Sequence, residues 1–211
     1  MIIVDIFPSD SEKEIIIKND LGEKFKISLS DAKENGLFGL KEEDFPFEFE
    51  DDGQIIFLSS KLKAIKYCSY LLSFSDKSAS ALKRKLYEKQ YSEKVSQQAI
   101  EVLIRAGLID DDTICIRKAN NLAKSKLYGP YRIKMELLKK GFAKESIENA
   151  LQETDVDFDE CLASLIKKLN SDGRYNLKDR DTLIKFKAKL QRYGYDTSKI
   201  NKHLNNYEKE D

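Results

Sequence analysis

Three consecutive carboxylates, Asp110, Asp111 and Asp112, come nearest in this sequence to divalent-cation or acid–base chemistry. They stand directly ahead of Thr113 and a helical apolar pattern. At such a place carboxylates accept hydrogen bonds from the free N–H groups of the first turn and oppose the positive end of the helix dipole. We read them as helix caps rather than as a metal site. Cys68, Cys115 and Cys161 lie about 46 to 47 residues apart, with no CxxC and no nearby histidine to complete a metal set. Each reads as a small buried apolar residue of a reducing compartment. The sequence shows no nucleophile–base pair, no phosphate-cradling glycine loop and no metal spacing, so no enzyme activity, catalytic residue, metal or cofactor is expected.

Binding chemistry is better represented. In "SKLYGPYRIK" (125–134), Tyr128 and Tyr131 flank Gly129-Pro130, and basic residues surround them. That mixture binds single strands by stacking plus phosphate contact, while core packing or turn formation is the alternative use of the same residues.

The elements that must position these groups differ along the chain. The 211 residues are 41% hydrophobic and 35% charged with zero net charge, a composition that supports a real core. The zero hides a split, because residues 1–60 carry a net −9 and residues 61–211 a net +9. Two charge environments imply two modules. No run of 18 or more apolar residues occurs, and the opening "MIIVDIFPSD" lacks the basic and long apolar parts of a secretory signal, so a cytoplasmic protein without membrane contact is expected.

In the acidic leader, "MIIVDIF" and "EIIIKNDLGEKFKISLS" are β-branched runs broken by a turn at Asn19, Asp20 and Gly22, which predicts a small antiparallel sheet. "SDAKENGLFGL" predicts a short helix capped by Ser30 or Asp31 and stopped at Gly36, and "GQIIFLSS" a closing strand. The leader is either a cap packed against the first repeat or a separate acidic binding module.

From Lys61 onward the pattern is helical and repeats. Leu82, Ile133 and Phe186 are each followed four residues later by Leu86, Leu137 and Leu190, and then by the aromatics Tyr91, Phe142 and Tyr195. Residues one turn apart share a face, so each pair marks a buried stripe. Gly141 and Gly194 precede two of the aromatics, where a left-handed residue ends a helix, and Gln90 replaces the glycine in the first copy. The following helices bring Ile147 and Ile200, and then Ile100, Leu151 and Leu204, with Ser96 breaking the series and Val95 beside it as a substitute. His203 stands where the other copies have Ala99 and Ala150, and it lacks the partners a catalytic or ligand histidine needs. One more helix lies upstream of each motif, with starts marked by Ser78, by Asp110 to Asp112, and by Gly129-Pro130. The expectation is a mainly α fold of three tandem three-helix repeats in an elongated curved array, after a small N-terminal β-rich segment. The boundaries expected are 1–60 for the leader and 61–109, 110–154 and 155–207 for the repeats.

"KSASALKRKLYEKQYSEKVSQQAIEVLIRAGLIDDDTI" (77–114), "YGPYRIKMELLKKGFAKESIENAL" (128–151) and "KDRDTLIKFKAKLQRYGYDTSKI" (178–200) resemble the RecX family, bacterial regulators of the RecA recombinase. The leader resembles the β-rich segment that some members carry before their repeats. The resemblance implies a protein that lies along the groove of a RecA filament on DNA, bridges successive protomers, and hinders strand exchange, repressor cleavage and filament growth. It implies RecA and single- and double-stranded DNA as partners, and a monomer. Candidate contacts to filament or DNA are Lys83, Arg84 and Lys85 in the first repeat, Tyr128, Tyr131, Arg132, Lys134, Lys139 and Lys140 in the second, and Lys185, Lys187 and Lys189 in the third. Lys83, Arg84 and Lys85 point in three directions and cannot all meet one partner; a merely solvated face is the other reading. A general DNA-binding helical-repeat module is the alternative function.

Overall fold

In the computed structural model, which describes residues 1–207, the β-branched runs of the leader pair as an antiparallel sheet. Strands β1 (Ile2–Pro8), β2 (Glu14–Asn19), β3 (Lys24–Ser28) and the short β4 (Phe47–Glu48) lie in the order β3-β2-β1-β4. The expected turn joins β2 to β3: Lys18 pairs with Lys24, Gly22 takes φ +80°, and the buried Asn19 side chain accepts from the Glu23 N–H at 2.7 Å. Alternation along the strands buries Ile3, Ile15, Ile17 and Ile27. They form one core with Ala32 and Leu37, from helix α1 (Leu29–Glu34) and the turn after it, and with Ile55 and Leu58 of helix α2 (Asp52–Phe74).

Residues 53–60, expected as a closing strand, are the first turns of α2 instead. The short run Ile55–Leu58 cannot tell strand from helix by itself. What decides it is the cap and the longer period: Asp51 accepts from the Gln54 N–H at 3.0 Å, and Ile55, Leu58 and Leu62 are buried at helical spacing. The cap of α1 also moves, to Ser28, whose Oγ accepts from the Asp31 N–H at 3.1 Å. Asp31 is free for another role, since its carboxylate takes a hydrogen bond from Lys61 Nζ at 2.5 Å, with both side chains largely buried. Lys66 of α2 likewise pairs with Glu14 at 2.6 Å. The leader is therefore built onto the first repeat, and one compact unit comprises Met1–Asp76 and Leu82–Ile109. The second unit holds Lys77–Ala81 and the chain from Asp110. No helix among the described residues is long and apolar enough to cross a membrane.

Beyond α2 come α3 (Ala79–Glu88) and α4 (Glu93–Arg105), then α5 (Asp111–Lys126), α6 (Pro130–Lys139) and α7 (Lys144–Glu153), then α8 (Phe158–Leu169), α9 (Arg180–Arg192) and α10 (Thr197–Tyr207). The repeated pairs Leu82/Leu86, Ile133/Leu137 and Phe186/Leu190 are all fully buried. Each such side chain is worth roughly 1.5–3 kcal/mol of burial, which short helices need because they are marginal alone. Phe142 joins the core of α5–α7 and Tyr195 that of α8–α10. The same corner precedes each aromatic: Gln90, Gly141 and Gly194 have φ of 63°, 84° and 97°. In the first two copies the aromatic N–H donates back to Leu86 O at 3.1 Å and to Leu137 O at 3.3 Å.

Within the second unit, Gly194 carries a further constraint. A Cβ on it would stand 2.3 Å from Arg132 N, and one on Gly129 would stand 2.5 Å from Gly194 O. The two backbones touch here because neither has a side chain. Gly129 N–H donates to Tyr193 O at 2.8 Å and Tyr131 N–H to Gly194 O at 3.3 Å, so the start of α6 is capped by carbonyls of the third repeat. The Tyr195 hydroxyl donates to Leu127 O at 3.2 Å, fixing the same junction from below the corner.

The first copy departs from the others at two places that ought to be costly. Gln90 holds a left-handed conformation with a Cβ, and the buried Ser96 Oγ, at the position of Ile147 and Ile200, has no hydrogen-bond partner. Gln90→Gly and Ser96→Ala are each expected to stabilise the chain by about 1 kcal/mol. Gly194→Ala, by contrast, is expected to lower stability by about 3 kcal/mol or more through backbone overlap and strain. Urea unfolding midpoints measure all three; a neutral Gly194→Ala would contradict the close approach.

Candidate functional site

The middle helices α3, α6 and α9 hold ten of the twelve candidate contact residues, with Lys140 as the cap of α6 and Tyr128 just before it. Each middle helix is pinned by its buried Leu-type pair, so the remaining positions face its neighbours or solvent. Lys83, Arg84 and Lys85 belong to the first unit, and the other candidates to the second.

Several of these cations are tied within the fold. Lys83 Nζ donates to Gln97 Oε1 at 3.0 Å and lies 3.7 Å from Glu93, both on α4. Lys134, at the same repeat position, donates to Glu148 of α7 at 2.8 Å. The pairing holds Glu148 below the usual carboxylate range, first through that hydrogen bond and then through the lysine charge. Lys85 pairs with Glu88 at 2.6 Å. Lys189 donates to the Tyr175 hydroxyl at 3.0 Å and lies over its ring. Arg132 and Lys139 share Glu136, at 3.0 and 3.8 Å.

Arg84, Lys140 and Lys185 are exposed and Lys187 is half-buried, and none of the four makes an ion pair among the described residues. The two tyrosines of "SKLYGPYRIK" separate. Tyr128 packs on the α5–α7 core, meets Tyr193 edge-to-face with centroids 5.9 Å apart, and lies under the Arg132 guanidinium at 5.4 Å. Tyr131 is 68% exposed.

Sequence reasoning passed over the residues that accompany Tyr131. Met135 and Leu138 are partly exposed on α6, and Ile184 is 56% exposed on α9 at the position equivalent to Tyr131. Glu136, which takes up two of the candidate cations, was also missed. The signal available was the repeat itself, read at its exposed positions as well as its buried ones.

The carboxylates at the start of α5 are structural. Asp110 is the N-cap, accepting from Thr113 N–H at 3.0 Å and from its hydroxyl at 2.7 Å, and these bonds lower its pKa. Asp111 turns the other way and accepts from Ala79 N–H at 3.0 Å, at the first turn of α3; burial raises its pKa. Among the described residues no group of three or more His, Cys, Asp or Glu could hold a metal ion. Burial pushes the thiols of Cys68 and Cys115 up to about 11 and raises that of the half-buried Cys161.

No protein-family model matches the chain. Among curated proteins, it is 31% identical over 127 residues to the regulatory protein RecX of Trichlorobacter lovleyi, covering 59% of this chain and 82% of that one. It is 31% identical over 141 residues to the regulatory protein RecX of Pelodictyon phaeoclathratiforme, covering 67% and 86%. Among solved structures, a regulatory protein RecX matches with TM-score 0.75 and 24% identity over 97% of this chain and 100% of that one. The RecX of Lactobacillus salivarius matches with TM-score 0.63 and 24% identity over 70% and 96%. These two structures share the fold.

Two measurements test this chemistry. A depressed folded-state pKa adds stability that is present above the unfolded value and lost as pH falls through the folded one. Lys134→Met is thus expected to return Glu148 toward the ordinary glutamate range in an NMR titration and to soften the acid-side loss of stability. With a thiol reagent at pH 8, Cys161 should react first and Cys68 and Cys115 only on unfolding; simultaneous labelling of all three in the native protein would refute the burial argument.

Proposed function

The chain belongs to the RecX family of regulatory proteins, and from that footing we propose that it binds in the groove of the RecA–DNA filament and restrains it. Its action is chiefly inhibitory: by spanning successive protomers it modulates recombination, strand exchange and the co-protease activity of the SOS response. It works as a cytoplasmic monomer of a leader (1–60) and three repeats (61–109, 110–154, 155–207), by binding and without a catalytic step.

The observation that carries this reading is the repetition of one bundle corner, with buried pairs, left-handed turn and aromatic at matching places in all three copies. A chain that repeats its scaffold can offer contacts at regular intervals, which suits a partner that repeats its own surface. Several weak contacts on one scaffold act at high effective concentration, which favours a polymer over a free protomer. Arg84, Lys140, Lys185 and Lys187 are the candidate cations left with charge to offer such a partner. Direct DNA binding is the second reading, favoured by the exposed Tyr131 beside Arg132.

The test is a RecA assay. Increasing amounts of this protein are expected to depress single-strand-dependent ATP hydrolysis and strand exchange by the RecA of the same host, reaching full effect at substoichiometric or equal amounts. Affinity for naked DNA is expected to be weak and to fall steeply with salt. If RecA activity is unchanged while naked DNA is bound tightly, the filament reading is lost and the DNA reading stands.

A further inference from the structure

We propose that the outward faces of α6 and α9 are two copies of one docking surface, built for a protein partner that presents an apolar patch bordered by carboxylates, once per protomer. The inference rests on the filament reading above and specifies the part of the chain that engages the protomers.

On α6, Tyr131, Met135 and Leu138 succeed one another at four- and three-residue spacing, so at about 100° per residue they lie in one stripe. All three are partly or mostly exposed, at 68%, 38% and 39%. The stripe is bordered by Arg132 and Lys139 on one side and by Lys134 on the other, by the same angular reckoning. Apolar side chains in a row on a soluble helix mark an interaction surface when polar groups rim them. Tyrosine, methionine and arginine are the residue types enriched in the centres of such surfaces.

The third repeat carries the same design in a smaller form. Ile184, 56% exposed, stands at the Tyr131 position, with exposed Ala188 in place of Met135 and Gln191 in place of Leu138. Lys185, Arg192 and Lys187 stand where α6 has Arg132, Lys139 and Lys134, so every bordering position is cationic in both copies. Nothing in the core requires this, because the buried face of each helix is already supplied by Ile133/Leu137 and Phe186/Leu190. The first repeat lacks it: Ser80, Ala81, Arg84 and Glu88 occupy the corresponding places on α3, where Tyr87 alone continues the stripe.

The exposed side chains also select the chemistry of the occupant. Met135, Leu138 and Ile184 offer nothing for a base to stack on or a phosphate to bond, and Tyr131 is the one exposed ring in the two stripes, whereas a single strand is held by several rings in succession. The first three suit aliphatic side chains, and Lys185 and Lys187 beside Ile184, which make no ion pair among the described residues, suit carboxylates around them; the cations bordering the α6 stripe are already shared with Glu136 and Glu148. A surface present twice in one compact unit suits a partner in which the complementary patch recurs, which is the property of a polymer of identical protomers.

The proposal is tested by co-sedimentation with RecA filaments assembled on single-stranded DNA, beside binding to the same DNA alone. Met135→Glu combined with Leu138→Glu, and separately Tyr131→Ser combined with Ile184→Ser, are expected to weaken filament binding at least tenfold and to leave binding to naked DNA unchanged. The serine pair removes only well-exposed side chains, so it keeps the test valid if the glutamates disturb folding; far-ultraviolet circular dichroism and the melting temperature verify each variant. Full filament affinity in the serine pair overturns this surface and leaves the filament reading intact. Parallel loss of naked-DNA binding assigns the face to nucleic acid and also overturns it. Failure of the wild-type chain to sediment with filaments removes both.

Discussion

The second unit depends on one backbone contact, the meeting of Gly129 with Gly194. Without Cβ atoms there, the carbonyls of Tyr193 and Gly194 reach the free N–H groups at the start of α6, and a helix end that would otherwise need a side-chain cap is closed by the neighbouring repeat. Pro130 supplies the next position without an N–H to satisfy. Around this contact the Tyr195 hydroxyl bonds Leu127 O, and Tyr128 meets Tyr193 edge-to-face. Phe158 and Cys161 of α8 pack on both neighbouring cores. Repeats two and three are thus held in one geometry by a backbone junction as well as by side-chain packing, and any surface carried by α6 and α9 is held with them.

The first repeat is solved differently. It lacks the corner glycine and buries a serine where its siblings bury isoleucine, so its own packing is weaker. The leader compensates by growing directly into α2, whose buried face serves the sheet and the repeat together. The ion pairs Lys61–Asp31 and Lys66–Glu14 result from that sharing, and the acidic leader neutralises lysines of the helix it is fused to. Asp31–Lys61 is closely hydrogen-bonded and largely buried, so removal of either partner would leave a buried charge unpaired. Glu14 and Asp31 are thereby taken up inside the first unit, while most of the leader's other carboxylates are exposed.

What the sequence made legible is what depends on short spacing. Leu82/Leu86, Ile133/Leu137 and Phe186/Leu190 are four residues apart and all face the core; the turn at Gly22 and the caps at Asp110 and Gly129 are equally local. The start of α2 was misread because Ile55–Leu58 carries no period of its own, and the deciding residues, Asp51 and Leu62, lie to either side of it. The charged positions were legible as charges but not as partners. Lys83 and Lys134 reach across to a different helix, and Glu136 lies between two cations that had looked free. The reason for Gly129 was hidden too, since its counterpart Gly194 is in another repeat.

Those pairings decide how the chain can hold a partner. A lysine already bonded to Glu148, or an arginine sharing Glu136, has less charge to offer a phosphate, and exposed pairs of this kind contribute little individually. Arg84, Lys140, Lys185 and Lys187, the candidate cations that make no ion pair among the described residues, lie on or at the end of three different helices. They stand at four different repeat positions, so their charge does not recur from one copy to the next, whereas the buried pairs beneath them do. Within the second unit, the placing of α6 and α9 relative to each other is set by the junction at Gly129 and Gly194, so the spacing of whatever those two helices carry is set there too.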